Sequence, residues 1–268
     1  HVTHPRPLRV MIWGKTYPEL STHHHETVCT AGVTEDGDPI RLYPVRLRYL
    51  QGDKQYSLYD VIEVKASRNA KDPRPESFKV RDETINILGQ ISTDRDEWAA
   101  RHEWVWRRAD KWHFRSMDQL LAAQSDTGQS IGMLEVGTVS GVYLRPKPAG
   151  EAEAHRQKFE SVSSQFDAFL PEYKRLDFIP TEVRLKWSCA VPCITCRQNP
   201  HDMQVLDWGL MQLGRKAGWA AAKAKMEAIA DLEQKDFRLF LGNFFLHQQS
   251  FGIIGLWYPQ RSEQPSLF

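Results

Sequence analysis

The chain has 268 residues, 41% hydrophobic and 26% charged, which is enough for one or two domains with real cores and no covalent staples. Lys and Arg number 35 against 34 Asp and Glu, a formal net charge of +1, so a globally basic nucleic-acid coat is excluded and only local basic faces remain. Four cysteines in this length also exclude a secreted disulfide scaffold.

Residues 8–66 read as β-rich. Residues 9–13 and 27–33 are expected strands. Glu35-Asp36-Gly37-Asp38 is a hairpin turn, because Gly37 supplies the positive φ that a tight reversal needs, and residues 40–45 form the return strand. Its alternation places Ile40, Leu42 and Pro44 on one face and Arg41, Tyr43 and Val45 on the other. Pro44 cannot donate to a ladder, so it marks an end or an edge. Residues 60–65 give a further strand. The charged, proline-containing stretch 68–82 predicts a solvated surface loop, and residues 84–91 a short strand.

Residues 94–114 predict a helix capped by Thr93 or Asp94, carrying Trp98, Trp104, Trp106 and Trp112 among several arginines. A second helix follows over 117–123 with Ser116 as its cap, then a strand over 132–144. Residues 145–150, with Pro146, Pro148 and Gly150, are the linker candidate. Residues 151–169 are helical, with Phe159, Val162, Phe166 and Phe169 on one face. A strand over 182–187 leads into a cysteine cluster. A helix is expected over 202–232, broken near Gly214 or Gly218. Residues 237–241 and 252–258 are strands. The span 239–260 lacks Asp, Glu, Lys and Arg, but Asn243, His247, Gln248, Gln249 and Ser250 interrupt it, so it reads as two buried strands around a polar turn rather than a membrane span. No secretory signal is recognised at the start of the chain, and the expected compartment is cytoplasmic. The expected fold class is therefore α+β: a β-rich module with a helical insertion over 1–145, then a metal-centred helix–strand module over 151–268.

The strongest local signal is Cys189-Ala-Val-Pro-Cys193-Ile-Thr-Cys196-Arg-Gln-Asn-Pro-His201. Three thiols and an imidazole within this span are a normal structural set for Zn²⁺, which prefers four tetrahedral sulfur and nitrogen ligands. The Cys193-x₂-Cys196 pair is the tight turn in which two thiolates grip one ion. With all four residues bound, the site has no open position for catalysis and is structural. An iron–sulfur cluster, [4Fe-4S] with Cys29 in place of His201, is the rival. The Cys189-x₃-Cys193-x₂-Cys196 spacing is similar to the triad of radical S-adenosylmethionine enzymes, but it falls late in the chain, where that family places it early.

Other patterns carry weaker chemistry. Glu63-Val64-Lys65 at the end of an apolar strand resembles the acidic-x-Lys element of Mg²⁺ nucleases, with Asp38 or Asp53 as the second acid. His23-His24-His25-Glu26 offers metal ligands or an acid–base pair, though such a run is commonly a solvated loop. Arg41, Tyr43, Arg46 and Arg48 form one basic–aromatic strip and the Trp-rich helix with Arg107 and Arg108 another. With Arg74 and Arg197 these are the candidate nucleic-acid contacts, arginines on phosphates and aromatics on bases. For the Trp helix, tryptophans filling a core while arginines snorkel is the simpler account, whereas for the first strip the two accounts are even.

Two blocks carry a resemblance. One is Lys15-Thr16-Tyr17-Pro18 with Cys29-Thr30-Ala31-Gly32 and Ile40-Arg41-Leu42-Tyr43-Pro44-Val45, continued by Asp72-Pro73-Arg74-Pro75-Glu76-Ser77. The other is Cys196 to Trp208 with Gly242-Asn243 and Ser250 to Leu256. Together they resemble a family of uncharacterised bacterial proteins with no activity to transfer. The resemblance implies a cytoplasmic bacterial protein of accessory or defence type. The expected function is nucleic-acid binding with a structural Cys/His metal site. Three alternatives stand beside it: an iron–sulfur enzyme or sensor, an Mg-dependent nuclease, and a protein–protein adaptor.

Overall fold

The computed structural model describes residues 4–91, 97–166 and 176–261. Its first sheet contains β1 (Arg6–Lys15), β2 (Glu19–Ser21), β3 (His25–Thr34), β4 (Pro39–Val45), β5 (Asp60–Arg68), β6 (Ser77–Val80) and β7 (Asn86–Gln90). β1 pairs with β3, β3 with β4, β4 in parallel with β6, β6 with β5, and β5 returns to β1. Five strands therefore close into a barrel, with β2 on β3 and β7 on β5 outside the ring. Closure leaves those five strands few unpaired edges. Val10, Ile12, Val28, Ile40, Leu42, Ile62 and Val64 fill the interior.

The hairpin between β3 and β4 turns at Gly37, with φ +87° and Thr34 accepting from the Gly37 amide at 2.8 Å. Along β4 the expected alternation fails after Leu42. The pairing shifts register between Val28 and Thr30, so Val45 joins Ile40 and Leu42 in the barrel core. Arg41 points out of the barrel but is only 3% exposed, because the second half of the molecule covers it. The stretch 68–82 is also corrected from a solvated loop: Asp72, Arg74, Glu76 and Ser77 are buried, and β6 lies within it.

The second half contributes α1 (Glu97–Trp106), α2 (Ala109–Trp112), β8 (His113–Phe114), α3 (Met117–Thr127), β9 (Ile131–Pro146), α4 (Ala149–Phe166), β10 (Thr181–Cys189), β11 (His201–Gln204), α5 (Trp208–Ala217), α6 (Trp219–Ile229), β12 (Arg238–Asn243) and β13 (Phe251–Trp257). The sheet runs β11-β10-β9-β12-β13, with β8 on β9. Val205 bridges to Ile253, and the Leu206 amide donates to Ile253 O at 2.7 Å, which brings the two ends of this sheet together. α5 and α6 pack over its core through Leu210, Met211, Ala222 and Met226.

The molecule is thus α+β, as its sequence implies. The linker candidate at 145–150 does not separate the sheets. β9 runs through Pro146 and is paired along its length, so the change of sheet falls ahead of β8. The helix expected from 202 begins at Trp208 instead. His201–Gln204 finds an antiparallel partner in β10, Asp207 caps α5 by accepting from the Leu210 amide at 2.8 Å, and Gly218, φ +91°, divides α5 from α6. The cap expected at Thr93 or Asp94, and Phe169, lie outside the described residues.

A third apolar cluster joins the halves. Trp13 of β1 stacks on Phe240 of β12 at 4.2 Å between centroids and on Trp112 at 6.2 Å, and Trp98 meets Trp257 edge-on at 4.8 Å. The Trp-rich helix is therefore core. Polar ties border the cluster: Arg41 donates to Ser130 O at 3.2 Å, Arg74 to Asn243 O at 3.2 Å, and Ser130 Oγ to the Glu76 carboxylate at 2.7 Å. Among the described residues no helix is long and apolar enough to cross a membrane.

Candidate metal centre

β10 ends at Cys189, and the chain makes a proline-containing turn before returning as β11, whose first residue is His201. The antiparallel register sets His201 opposite Trp187, so strand pairing returns the imidazole to the thiol it left. Between them Cys193 and Cys196 sit on one turn, held by Arg197 N to Cys193 O at 3.2 Å and Gln198 N to Thr195 O at 3.0 Å. The three Sγ atoms and a nitrogen of His201 all lie within 4.8 Å of one another. Cys193 Sγ is 3.3 Å from Cys196 Sγ, and His201 Nε2 is 3.4 Å from Cys189 Sγ and 3.3 Å from Cys193 Sγ. A tetrahedral ion with bonds of about 2.3 Å to sulfur spaces its ligands by roughly 3.8 Å, so the group has the dimensions of one coordination shell. All four cysteines of the chain are free thiols.

Backbone amides are aimed at the sulfurs. Met117 N, at the start of α3, lies 3.3 Å from Cys189 Sγ, Cys189 N lies 3.3 Å from Cys196 Sγ, and Cys196 N lies 3.3 Å from Cys193 Sγ. Such N–H···S contacts disperse negative charge on thiolates and orient them as ligands. Burial alone would raise the Cys196 thiol, but hydrogen bonds from the Cys189 amide and the neighbouring thiols outweigh it and bring the group below its usual value. Burial pushes Cys189 and Cys193 up. Burial also lowers His201, which favours the neutral imidazole that a metal requires.

The four expected ligands are thus brought together. Cys29 is not: it lies on β3 of the barrel, where its sulfur accepts from Arg41 Nη1 at 3.1 Å, and it stands outside the group. The spacing of the cysteines could not reveal the part played by α3. Its first amide reaches Cys189, and Asp118 accepts from the Ile194 amide at 3.0 Å, so helix and turn brace each other across more than seventy residues of sequence.

The remaining candidates are dispersed. Glu63 and Lys65 lie on the outer side of β5, and Glu63 pairs with Arg9 at 3.8 Å. Asp38 is held by Arg108 at 2.7 Å and Lys111 at 3.6 Å, and Asp53 sits in the 3₁₀ turn Gly52–Lys54. Among the described residues the Cys/His group is the one cluster of three or more His, Cys, Asp or Glu with metal-binding closeness, so these carboxylates and the His23–Glu26 run form none. Of the nucleic-acid candidates, Arg41 and Arg74 are buried ties between the halves and do not present themselves to a strand. Arg48 pairs with the buried Glu26 at 3.4 Å, Arg46 with Asp82 at 3.4 Å, and Arg107 donates to Glu35 O. Tyr43 is half-buried beside His24, and Arg197 is exposed on the turn between the cysteines and His201.

Two family descriptions match the chain: a domain of unknown function, DUF8758, over residues 6–107, and a second, DUF8757, over residues 113–268. No curated protein matches it. The second match begins at the first residue of β8, where the structure changes sheets, and contains all four residues of the Cys/His group. Since it spans more than half of the sequence, the chain belongs to the family of the domain of unknown function DUF8757, here preceded by a DUF8758 domain.

Proposed function

We propose that this is a zinc protein whose ion is structural, and that it works by binding nucleic acid. The observation that carries the first part is the convergence of three sulfurs and one imidazole nitrogen within 4.8 Å, with amides donating to the sulfurs. Soft ligands in this number suit Zn²⁺ and fill its shell, leaving no position for substrate. An iron–sulfur cluster has less support, because the fourth donor is an imidazole and Cys29 belongs to the barrel. The nuclease reading has less support, because among the described residues its carboxylates form no group of three metal ligands and Glu63 and Asp38 are paired with Arg9 and Arg108. The ion would hold the turn rigid and so present Arg197, Gln198 and Asn199, all exposed, as one surface. A guanidinium beside two amide side chains suits phosphate and base-edge contacts.

A protein–protein adaptor is the second reading, favoured by Ile194 on the same turn, an isoleucine left 69% exposed.

Elemental analysis of the purified protein tests the ion: about one equivalent of zinc is expected, falling sharply in Cys196→Ser, whereas iron with sulfide overturns the assignment. Fluorescence anisotropy with a labelled single strand tests the ligand. Binding should weaken steeply with salt, and Arg197→Ala should lower affinity and reduce the salt slope by about 1. Binding to a protein partner that ignores salt, with no binding to the strand, would establish the adaptor instead.

A further inference from the structure

The sulfurs of the Cys/His group are not equally protected. Cys189 and Cys193 are 4% and 1% exposed, whereas Cys196 is only partly covered, and its chain neighbours Thr195 and Arg197 are both exposed. The local sequence builds this asymmetry. Cys189 is the last residue of β10, packed in the core of the second sheet, while Cys193 and Cys196 sit three residues apart on the turn beyond it. Arg197 N donates to Cys193 O at 3.2 Å and Asn199 N to Thr195 O at 2.9 Å, so the turn is tight and Cys196 lies on its open side.

The same turn puts two sulfurs in contact. Cys193 Sγ lies 3.3 Å from Cys196 Sγ. A tetrahedral ion spaces its sulfur ligands by roughly 3.8 Å, so the pair is drawn closer than coordination requires. A disulfide bond of about 2.05 Å needs the two to approach by little more than about 1 Å. The other thiols are placed differently. Cys189 Sγ faces Met117 N at 3.3 Å and His201 Nε2 at 3.4 Å, and Cys29 lies on β3 of the barrel. One accessible thiol backed by a second in contact is the arrangement of a sulfur that is oxidised and a sulfur that resolves it.

We propose that the Cys/His turn is a peroxide-sensitive switch, in which oxidation joins Cys193 to Cys196 and releases the ion. This rests on the zinc reading above. The Cys196 sulfur attacks one oxygen of hydrogen peroxide, the O–O bond breaks, and hydroxide leaves to become water. The Cys193 sulfur then attacks the resulting sulfenic acid, the S–O bond breaks, and a second hydroxide leaves to become water. In sum, two thiolates, one peroxide and two protons give one disulfide and two waters. Cys189 and His201 remain, too few ligands to hold zinc against solvent. Arg197, Gln198 and Asn199 lie between Cys196 and His201, so the switch unties the segment that would present the contact surface.

The test treats the full chain, purified under reducing conditions with zinc supplied, with hydrogen peroxide. Released zinc is followed with a chromogenic chelator, and the thiols by differential alkylation and peptide mass spectrometry. About one equivalent of zinc should appear as the chain loses two hydrogens, with Cys193 linked to Cys196. Dithiothreitol with added zinc should restore the starting state, and Cys29→Ser should release zinc at the parental rate. Zinc that stays bound, or that leaves with a different link or with sulfinic acid in place of a disulfide, overturns the switch and leaves the zinc reading standing. A chain that holds no zinc before peroxide is added overturns the zinc reading and the switch together.

Discussion

Asp72 and Arg74 lie in a proline-flanked charged run that composition marks as surface, yet both are buried. Arg74 Nη2 is 2.6 Å from Asp72 Oδ2, and Ser77 Oγ donates to the same oxygen at 2.6 Å. Burial alone would raise the Asp72 carboxyl, but hydrogen bonds from Arg74 and Ser77, with the Arg74 charge, outweigh it and bring the group down to about 2. A folded value below the unfolded one of about 4 means that the stabilisation is fully present above pH ~4 and is lost as pH falls through ~2. We therefore expect Asp72→Asn to be less stable than the parent by on the order of 1 kcal/mol near neutrality, discounted for solvent screening, and the gap to close toward pH ~2. Denaturant titrations of both proteins across that range check it; a gap independent of pH would remove the charge from the account. At this scale the cysteines and histidine were legible, because ligand chemistry demands those residue types close together. The buried arginines were not, because what hides them is the other half of the fold.

Between residues and fold stands the coupling of the Cys/His turn to α3. Met117 N meets Cys189 Sγ, Val191 N donates to Arg115 O at 2.9 Å, and Asp118 accepts from Ile194 N, so the first turn of α3 and the turn 189–201 form one braced unit. If an ion completes that unit, chelation should raise hydrogen exchange in residues 189–201 and in the first turn of α3 together. The closed barrel of β1, β3, β4, β5 and β6 should keep its protection. Exchange read by mass spectrometry separates these segments, and a chelator that changes neither would count against a structural ion. Elements whose own pattern decides them were readable: the Asp-Gly hairpin, the Ser116 cap accepting from Gln119 N at 3.3 Å, and the paired strands β12 and β13. β11 is not legible as a strand because four residues carry too little periodicity, and only pairing with β10 makes them one.

At the level of the whole molecule, the two family matches divide the chain at a place where the physics does not. Trp13 from the first half stacks on Phe240 from the second and on Trp112 between them, and all three are fully buried. Arg41, Arg74 and Glu76 extend the same contact, each through a hydrogen bond to Ser130 or Asn243 that would be lost if the halves parted. Aromatic surface of this size is costly to expose to water, so neither half should be a stable domain alone. We expect the intact chain to unfold in a single calorimetric transition. Trp112→Ala should lower its stability by about 3–5 kcal/mol, a fall of roughly 6–20 °C at 2–4 °C per kcal/mol. Because Trp112 touches both halves, the loss should appear as a shift of that one transition rather than as a second one. Two resolved transitions in the parent, with only the later moved by Trp112→Ala, would mean that the halves fold independently and that the aromatic stack is a docking contact between domains. A single shifted transition makes it a core, and the Cys/His turn and the barrel then belong to one cooperative unit even though α1, α2, β8 and α3 lie between β7 and β9 in the sequence.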